Sequence, residues 1–406
     1  MLRLQDKSSA TKDTLSSLVG VIGTALLGLS FTVLAARLLK PELFGVYSTL
    51  VAFVTIIATI GDLGLTSAVM SLVPKKGVKS AQYLSAISWM TLSVSIIISV
   101  VSIICAYFSN INILYVGILS SIYIIQSLFL AVFNAKRKFI FNSLTQIIDS
   151  FVKLSLTLYF IYYWGGSIHL LLIANIISST LSVVFANIID SSFLFTQPKL
   201  KTVNEIIKFS KWVAFSRIFT LGISRIDIIL LNYLASSYYA GIYSATTRFG
   251  LLFTLFSVAI GNVANQRMST IKSRTHLVNL TKKLLVVFTL ISVMMILVAI
   301  FSKPLILLVY GREYIESAPV LVALSLAMIP YVFSIATTGP ILYTFNNSMF
   351  YSYLTMSQFV IILAMNYILI PPFKALGPAM SLGFANLFLL VVSSIKLSKS
   401  LNELDQ

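Results

Sequence analysis

The sequence has few of the residues from which soluble proteins build surfaces, disulfides and catalytic sites. Only 10% of the 406 residues are charged, and the chain has 12 acidic residues, two histidines and one cysteine. The single cysteine, Cys105, excludes an intrachain disulfide. Ordinary globular chains carry about 25% charged residues, so this composition excludes a soluble domain. No P-loop, metal cluster or catalytic-triad spacing is visible, and we predict no catalytic residue and no metal ligand.

Apolar residues are abundant instead. They make up 58% of the chain, and the mean hydropathy is +0.96. Apolar stretches of about 20 residues recur along the whole length, and helices satisfy their own backbone hydrogen bonds in lipid. We therefore predict an all-α polytopic membrane protein. Hydropathy places about twelve transmembrane helices at 14–36, 43–73, 81–107, 111–133, 144–163, 168–190, 212–234, 240–264, 284–309, 318–344, 351–370 and 375–395.

The net charge of +17 follows this topology. With the N-terminus in the cytoplasm, 20 of the 29 basic residues fall on the cytoplasmic side: Arg3, Lys7, Lys12, Lys75, Lys76, Lys79, Lys136, Arg137, Lys138, Lys199, Lys201, Lys208, Lys211, Arg267, Lys272, Arg274, Lys282, Lys283, Lys396 and Lys399. The opposite side receives five. This bias matches the positive-inside rule and predicts that both termini are cytoplasmic. The basic loops are interpreted as topology signal, with a recruiting surface as the alternative, and no nucleic-acid partner is predicted.

A short phrase occurs twice at about half the chain length. "FGVYS" at 44–48 returns as "AGIYS" at 240–244, and the glycines Gly45 and Gly241 lie 196 residues apart. Each copy follows a predicted outer turn, where a small residue lets two helices approach. The spacing and the shared position predict a duplication into a parallel repeat, with six-helix lobes at 1–200 and 201–406.

Four ordered segments carry a family resemblance. They are "ARLLKPELFGVYS" followed by "GDLGLTSAV", "SRIDIILLNYLASSYYAGIYSATTRF" (224–249), "VYGREYIESAPVLVALSLAMIPYVF" (309–333) and "NYILIPPFKALGPAMSLGFAN" (366–386). Together they resemble the polysaccharide biosynthesis transporters, which are lipid-linked oligosaccharide flippases of the multidrug/oligosaccharidyl-lipid/polysaccharide exporter superfamily.

This resemblance implies two six-helix lobes around a central cationic cavity that opens alternately to each side. The implied cargo is a short glycan on undecaprenyl pyrophosphate, such as an O-antigen or exopolysaccharide unit. It would move from the inner to the outer leaflet of a bacterial or archaeal plasma membrane. The implied partners are the lipid-linked glycan, the bilayer and other polysaccharide assembly proteins.

Seven charges lie inside predicted spans: Asp62, Asp149, Lys153, Arg217, Arg225, Asp227 and Arg248. A charge at the bilayer centre costs about 3 kcal/mol on insertion scales, so each is expected to face protein or water. Asp149 and Lys153 are four residues apart and could pair on one helix face. Arg217 lies near the cytoplasmic end of its span, where snorkelling is the alternative to a binding role.

Arg225 lies about a dozen residues into its predicted helix, and Asp227 points to a different face. A guanidinium binds pyrophosphate oxygens through bidentate, charge-assisted hydrogen bonds. The hypothesis is that Arg225 leads in binding the pyrophosphate and that Arg217 and Arg248 assist. The alternative is an inter-helix salt bridge from Arg225 to Asp62 or Asp149.

The acidic residues in the spans, Asp62, Asp149 and Asp227, are the candidates for coupling transport to H⁺ or Na⁺. Pairing with an arginine is the alternative for each, and no other cofactor is predicted. A drug/cation antiporter of the same superfamily is a rival function, although four basic against three acidic charges in the spans favour an anionic cargo. A membrane glycan polymerase or ligase is a rival from another class, but the outer connections are short.

Overall fold

The computed structural model describes residues 2–75, 80–190, 199–268, 273–345 and 347–403. These residues form helices and no strand, which confirms the all-α prediction. The helices are α1 (Leu2–Asp62), α2 (Leu65–Leu72), α3 (Ser80–Phe108), α4 (Ile111–Ala135), α5 (Phe139–Trp164), α6 (Ile168–Ile189), α7 (Leu200–Leu234), α8 (Ser237–Met268), α9 (Arg274–Ile300), α10 (Ser302–Val309), α11 (Ser317–Tyr343), α12 (Ser348–Phe373) and α13 (Leu376–Glu403), with a 3₁₀ turn at Arg312–Tyr314. Some residues of the predicted basic loops lie outside the described backbone or side chains: Arg3, Lys7, Lys12, Lys76, Lys79, Arg267 and Lys272.

Helix α1 is two helices joined at a kink. Lys40 has φ 59° and ψ 169°, which are not helical, and Pro41 follows it. A proline lacks the N–H that would bond back into the preceding turn, so it suits the first position of a new helix. The predicted turn between the first two spans is therefore a single residue. The Lys40 ammonium lies 3.2 Å from a Glu313 carboxylate oxygen in an exposed ion pair.

The prediction of one continuous helix over 43–73 is wrong in one detail. Leu63 and Gly64 both have positive φ, at 49° and 75°, and they separate α1 from α2. A Cβ on Gly64 would lie 2.6 Å from the Ser210 carbonyl oxygen of α7. Glycine is needed here because it tolerates positive φ and lets α7 approach the break.

Among the described residues, ten helices are long and apolar enough to cross a membrane, namely α1 from Gly20, α3 to α6, α8, α9 and α11 to α13. The kink at Lys40 divides α1 into two lengths of about 20 residues, and each of these can span the hydrocarbon. Helix α7 is not among the ten, and it carries Arg217, Arg225 and Asp227. With α1 counted as two and α7 added, the helices account for the twelve predicted spans.

The chain packs as two compact units, and the division falls inside α7. Unit 1 comprises Met1–Leu39 and Leu50–Leu221, and unit 2 comprises Lys40–Thr49 and Gly222–Gln406. The predicted lobe boundary at residue 200 refers to halves of the sequence, and it stays a prediction.

Each unit has its own apolar core. In unit 1, Val69 of α2, Ile87 of α3 and Leu128 of α4 pack in one buried cluster. In unit 2, Phe288 of α9 and Val332 of α11 belong to a cluster that also includes the end of α8. Burying these side chains between helices fixes the positions of the polar groups that the same helices carry.

Candidate functional site

Arg217 of α7 is bound to the break between α1 and α2. Its Nη1 donates to Asp62 Oδ2 at 2.8 Å and to Thr66 Oγ1 at 2.7 Å. Thr66 in turn donates its hydroxyl to Asp62 Oδ2 and its backbone N–H to Asp62 Oδ1. The Asp62 side chain is buried, whereas Arg217 is 35% exposed. Within unit 1 this cluster therefore balances the Arg217 charge, and the predicted binding role of Arg217 stays a prediction.

Asp149 and Lys153 form the same-helix pair that their spacing predicts. Lys153 Nζ lies 3.2 Å from Asp149 Oδ2, and both side chains are mostly buried. Two hydroxyls of α6 complete the site, because Ser178 and Ser179 donate to Asp149 Oδ1 at 3.0 and 2.9 Å. The Lys153 ammonium also lies 5.7 Å from the centre of the Phe31 ring. The carboxylate thus has a built-in cation and two hydroxyl donors, as expected for a charge pair within a span.

Asp227 of α7 has a different set of partners. The Tyr243 hydroxyl of α8 donates to Asp227 Oδ2 at 2.6 Å, and the Ile228 N–H donates to Oδ1 at 2.8 Å. Tyr243 is almost completely buried. Both of these donors are neutral groups. Among the described residues no ammonium or guanidinium lies within ion-pair distance of Asp227, although the charge of Arg225 acts on it from two residues away.

Within unit 2 Arg225 makes no hydrogen bond or ion pair among the described residues, but its charge interacts with that of Asp227, two residues on, and its side chain is half-buried. The alternative of a salt bridge from Arg225 to Asp62 or Asp149 stays a prediction; within unit 1 those two carboxylates pair with Arg217 and Lys153. Arg248 of α8 is also half-buried and interacts electrostatically with Tyr310. Arg225, Asp227 and Arg248 all belong to unit 2. The charges that the sequence places inside the spans of this unit are therefore two arginines and one aspartate.

Neutral amides in α12 and α13 form a polar stripe that the charges inside the predicted spans do not reveal. Gln358 donates to Asn386 Oδ1 at 2.9 Å, and Asn386 donates to the Ala327 carbonyl oxygen of α11. Asn366, two turns after Gln358, is fully buried, and neither atom of its amide has a hydrogen-bond partner among the described residues. Amides eight residues apart in an apolar run were a signal for this polar stripe.

Comparison with known protein families decides the identity of the chain. A sequence model of the family described as polysaccharide biosynthesis protein matches residues 10–264, which is well over half of the chain. The chain belongs to this family. No curated protein sequence matches it. The family predicted from the four sequence segments is therefore confirmed.

Solved structures of transporters share the fold of this polysaccharide biosynthesis family member. A lipid II flippase, MurJ, in an inward closed conformation is 16% identical, with 96% of this chain and 89% of that chain covered and a TM-score of 0.78. An inward-facing MATE family multidrug resistance transporter is 12% identical and has a TM-score of 0.75, and the match covers 94% of this chain and 95% of that chain. A MOP superfamily transporter from Pyrococcus furiosus is 12% identical and has a TM-score of 0.63, and the match covers 98% of this chain and 97% of that chain. Its description refers to the reverse polarity of its binding pocket. At these identities the likeness shows the fold alone, which is that of a multi-pass membrane transporter.

Proposed function

We propose that this chain flips a polyprenyl-pyrophosphate-linked oligosaccharide, an O-antigen or other surface-polysaccharide unit, from the inner to the outer leaflet by alternating access. Membership of the polysaccharide biosynthesis family supports the pathway, and the fold shared with a lipid II flippase supports the reaction type. The membrane would be a bacterial or archaeal plasma membrane with both termini in the cytoplasm, as the distribution of basic residues indicates. Sugar and pyrophosphate cannot cross hydrocarbon unaided, so the protein must offer them a polar path.

The observation that carries this proposal is the state of Arg225. A guanidinium in a span is costly unless a polar or charged group meets it. The carboxylates of Asp62 and Asp149 are bound to other cations. Arg225 has a charge interaction with Asp227, but no hydrogen bond or ion pair among the described residues of unit 2. A pyrophosphate offers oxygens in the geometry that a guanidinium binds bidentately. Arg225 is therefore the proposed leading ligand of the pyrophosphate, with Arg248 and Arg217 assisting.

Asp227 is the proposed site of coupling to H⁺ or Na⁺. Asp62 and Asp149 each have a cationic partner within 3.2 Å, whereas the partners of Asp227 are a tyrosine hydroxyl and a backbone N–H. A carboxylate without a bound cation gains more from a proton or Na⁺ than one already paired. Flux through Asp227→Asn should lose its response to an imposed ion gradient. Flux through the native protein that ignores both pH and Na⁺ gradients would remove the coupling proposal.

Glycan export in cells that lack their own flippase tests the proposed function. The native chain should restore surface polysaccharide, and Arg225→Gln should abolish that restoration at an equal protein level. Arg225→Lys keeps the charge but loses the bidentate geometry, so it should restore export only in part. Arg312→Gln, in the 3₁₀ turn, is the matched control and should export normally. Unchanged export by Arg225→Gln at a normal protein level would refute the assigned role.

A drug/cation antiporter is the second candidate, because the fold is also that of a MATE multidrug resistance transporter. Such a protein would bind its cargo through a carboxylate, and Asp227 is the carboxylate of unit 2 that lies inside a predicted span. Efflux of a cationic dye by cells that express the chain separates the two functions. Dye efflux that depends on Asp227, together with absent glycan export, would favour the antiporter.

A further inference from the structure

Helix α7 is much longer than a membrane requires. Its 35 residues correspond to about 52 Å, whereas the hydrocarbon core is about 30 Å thick. The apolar span predicted from the sequence begins at 212, but the helix begins at Leu200. The first three turns of α7 therefore extend beyond the hydrocarbon, on the side to which the positive-inside rule assigns the cytoplasm.

One face of this extension is fixed to unit 1. Ile206 is fully buried in the cluster formed by α2, α3 and α4, and Ser210 is buried beside Gly64. The Tyr83 hydroxyl of α3 donates a hydrogen bond to the Glu205 carboxylate. These contacts hold the extension as a rigid helix, so its opposite face is a built surface.

That opposite face combines three lysines with exposed apolar side chains. Lys201, Lys208 and Lys211 fall within an arc of about 80° and point about 140–160° away from Ile206. Beside them Leu200 is 81% exposed and Trp212 is 70% exposed. The set Leu200, Lys201, Ile207, Lys208, Lys211 and Trp212 is called the lysine face below.

The chemistry of the lysine face matches the boundary between head groups and acyl chains. Exposed leucine and tryptophan side chains are unfavourable on a helix that is surrounded by water. An interfacial helix inserts such side chains among the acyl chains and keeps its lysines at the lipid phosphates. The Lys211 ammonium lies 5.4 Å from the centre of the Trp212 ring, so the cation and the aromatic group occupy one level. Glu205, the single acidic residue of the extension, is directed to Tyr83.

We propose that the lysine face binds the phosphate head groups of anionic phospholipids in the leaflet that faces the cytoplasm. Charge complementarity carries this assignment, because three ammonium groups share one face and, among the described residues, none of them forms an ion pair with a carboxylate. The site would hold α7 at a fixed depth, and it is independent of the cargo that the protein moves.

Quenching of Trp212 fluorescence by brominated lipids tests the site. Trp89→Phe and Trp164→Phe leave Trp212 as the sole tryptophan of the chain. In nanodiscs, phosphatidylglycerol brominated near its head group should quench Trp212 at a lower lipid fraction than equally brominated phosphatidylcholine. Each lysine contributes up to about a fivefold preference for the anionic lipid near a membrane surface. Lys201→Gln/Lys208→Gln/Lys211→Gln should abolish the preference.

Lys282→Gln/Lys283→Gln/Lys399→Gln removes the same charge from exposed positions of α9 and α13 and should leave the preference intact. If the triple variant of the lysine face does not purify, Lys211→Gln alone should reduce the preference up to about fivefold. Equal quenching of the native face by both lipids would overturn the proposal, and so would an equal loss in the control.

Inorganic phosphate should leave the fluorescence unchanged in phosphatidylcholine nanodiscs. A response to phosphate would identify a soluble anion as the ligand and refute the lipid assignment.

Discussion

Asp190 follows the last residue of α6 and accepts hydrogen bonds from two lysines in the turn between α4 and α5. Lys136 Nζ lies 2.8 Å from Oδ1, and Lys138 Nζ lies 2.9 Å from Oδ2. Burial raises the pKa of Asp190, but hydrogen bonds and charge from the two ammonium groups outweigh it and hold the pKa below its usual range. The carboxylate therefore fastens the ends of three helices together just beyond the candidate span.

Asp190→Asn should lower the free energy of unfolding by about 1–2 kcal/mol at neutral pH, because the ammonium groups lose a charged acceptor. A depressed folded-state pKa gives stability that is present above the unfolded value, near 3.9, and is lost as pH falls below it. The difference between the native protein and Asp190→Asn should therefore shrink below about pH 4.

Thermal unfolding in detergent measures this difference, and Glu313→Gln is the matched control. Glu313 pairs with Lys40 at the surface, where both side chains are more than half exposed, so its loss should change stability little. A difference for Asp190→Asn that stays constant down to pH 3 would contradict the assigned charge state.

Arg217→Gln should destabilise unit 1 by leaving the buried Asp62 carboxylate with Thr66 alone. Breaking a fully buried pair costs about 3–5 kcal/mol, and the partial exposure of Arg217 reduces the expected loss to about 1–3 kcal/mol. Asp62→Asn combined with Arg217→Gln should recover part of that stability, because no unpaired charge remains. Unfolding temperatures of the two single variants and the double variant measure the coupling. A double variant no more stable than Arg217→Gln would show that the pair is not coupled.

Sequence spacing predicts an ion pair within one helix but not an ion pair between distant helices. Asp149 and Lys153 were paired by their spacing on one helix, where geometry is local. Asp62 and Arg217 are 155 residues apart, and only the packing of α7 against the break after α1 brings them together. The role of Arg225 could be proposed from the sequence, whereas its lack of an ion pair among the described residues needed the structure.

Two glycines set a close helix crossing in unit 2. A Cβ on Gly45 would lie 1.7 Å from the Ser237 carbonyl oxygen, and a Cβ on Gly241 would lie 1.8 Å from the Pro41 carbonyl oxygen. Each glycine thus contacts the carbonyl group four residues before the other. The two copies of the repeated phrase pack directly on one another with reciprocal contacts, as small residues allow.

Gly241→Ala should force these helices apart, because the clash is with backbone atoms that cannot rotate away. Overpacking of this kind costs about 1–3 kcal/mol, and the direct backbone contact places the variant at the upper end. Gly28→Ala is the control, since a Cβ there would meet no atom within 4 Å. Thermal unfolding should separate the two variants, and equal stability of Gly241→Ala and Gly28→Ala would contradict the close crossing.

Hydropathy predicted the existence and order of the helices but not where some of them end. Apolar runs locate spans because lipid requires them, and this requirement ends at the membrane surface. Hydropathy therefore does not predict the amphipathic start of α7, since its lysines interrupt the apolar run. Hydropathy also does not predict the helix break at Leu63 and Gly64, because both residues lie inside a run that remains apolar.

At the scale of the whole chain, the repeated phrase and its half-length spacing predict a duplication, which stays a prediction. The two copies differ in their charges, because Arg225 and Arg248 flank the second copy and the first has only Arg37 at its outer edge. The fold followed from composition and the family from four segments. The cargo is chosen by a few polar contacts, which composition does not encode, so it stays a proposal.

Translocation in proteoliposomes tests the proposed function most directly. A fluorescent polyprenyl-pyrophosphate oligosaccharide is placed in one leaflet, and its appearance in the other is followed for the native chain and for Arg225→Gln. We predict accelerated flipping by the native chain. We also predict a roughly tenfold or greater slowing in the variant, because a charged hydrogen-bond donor contributes about 1.5–3 kcal/mol. No acceleration by the native chain, or equal rates for both proteins, would contradict the proposed role of Arg225 in flipping a pyrophosphate-linked glycan.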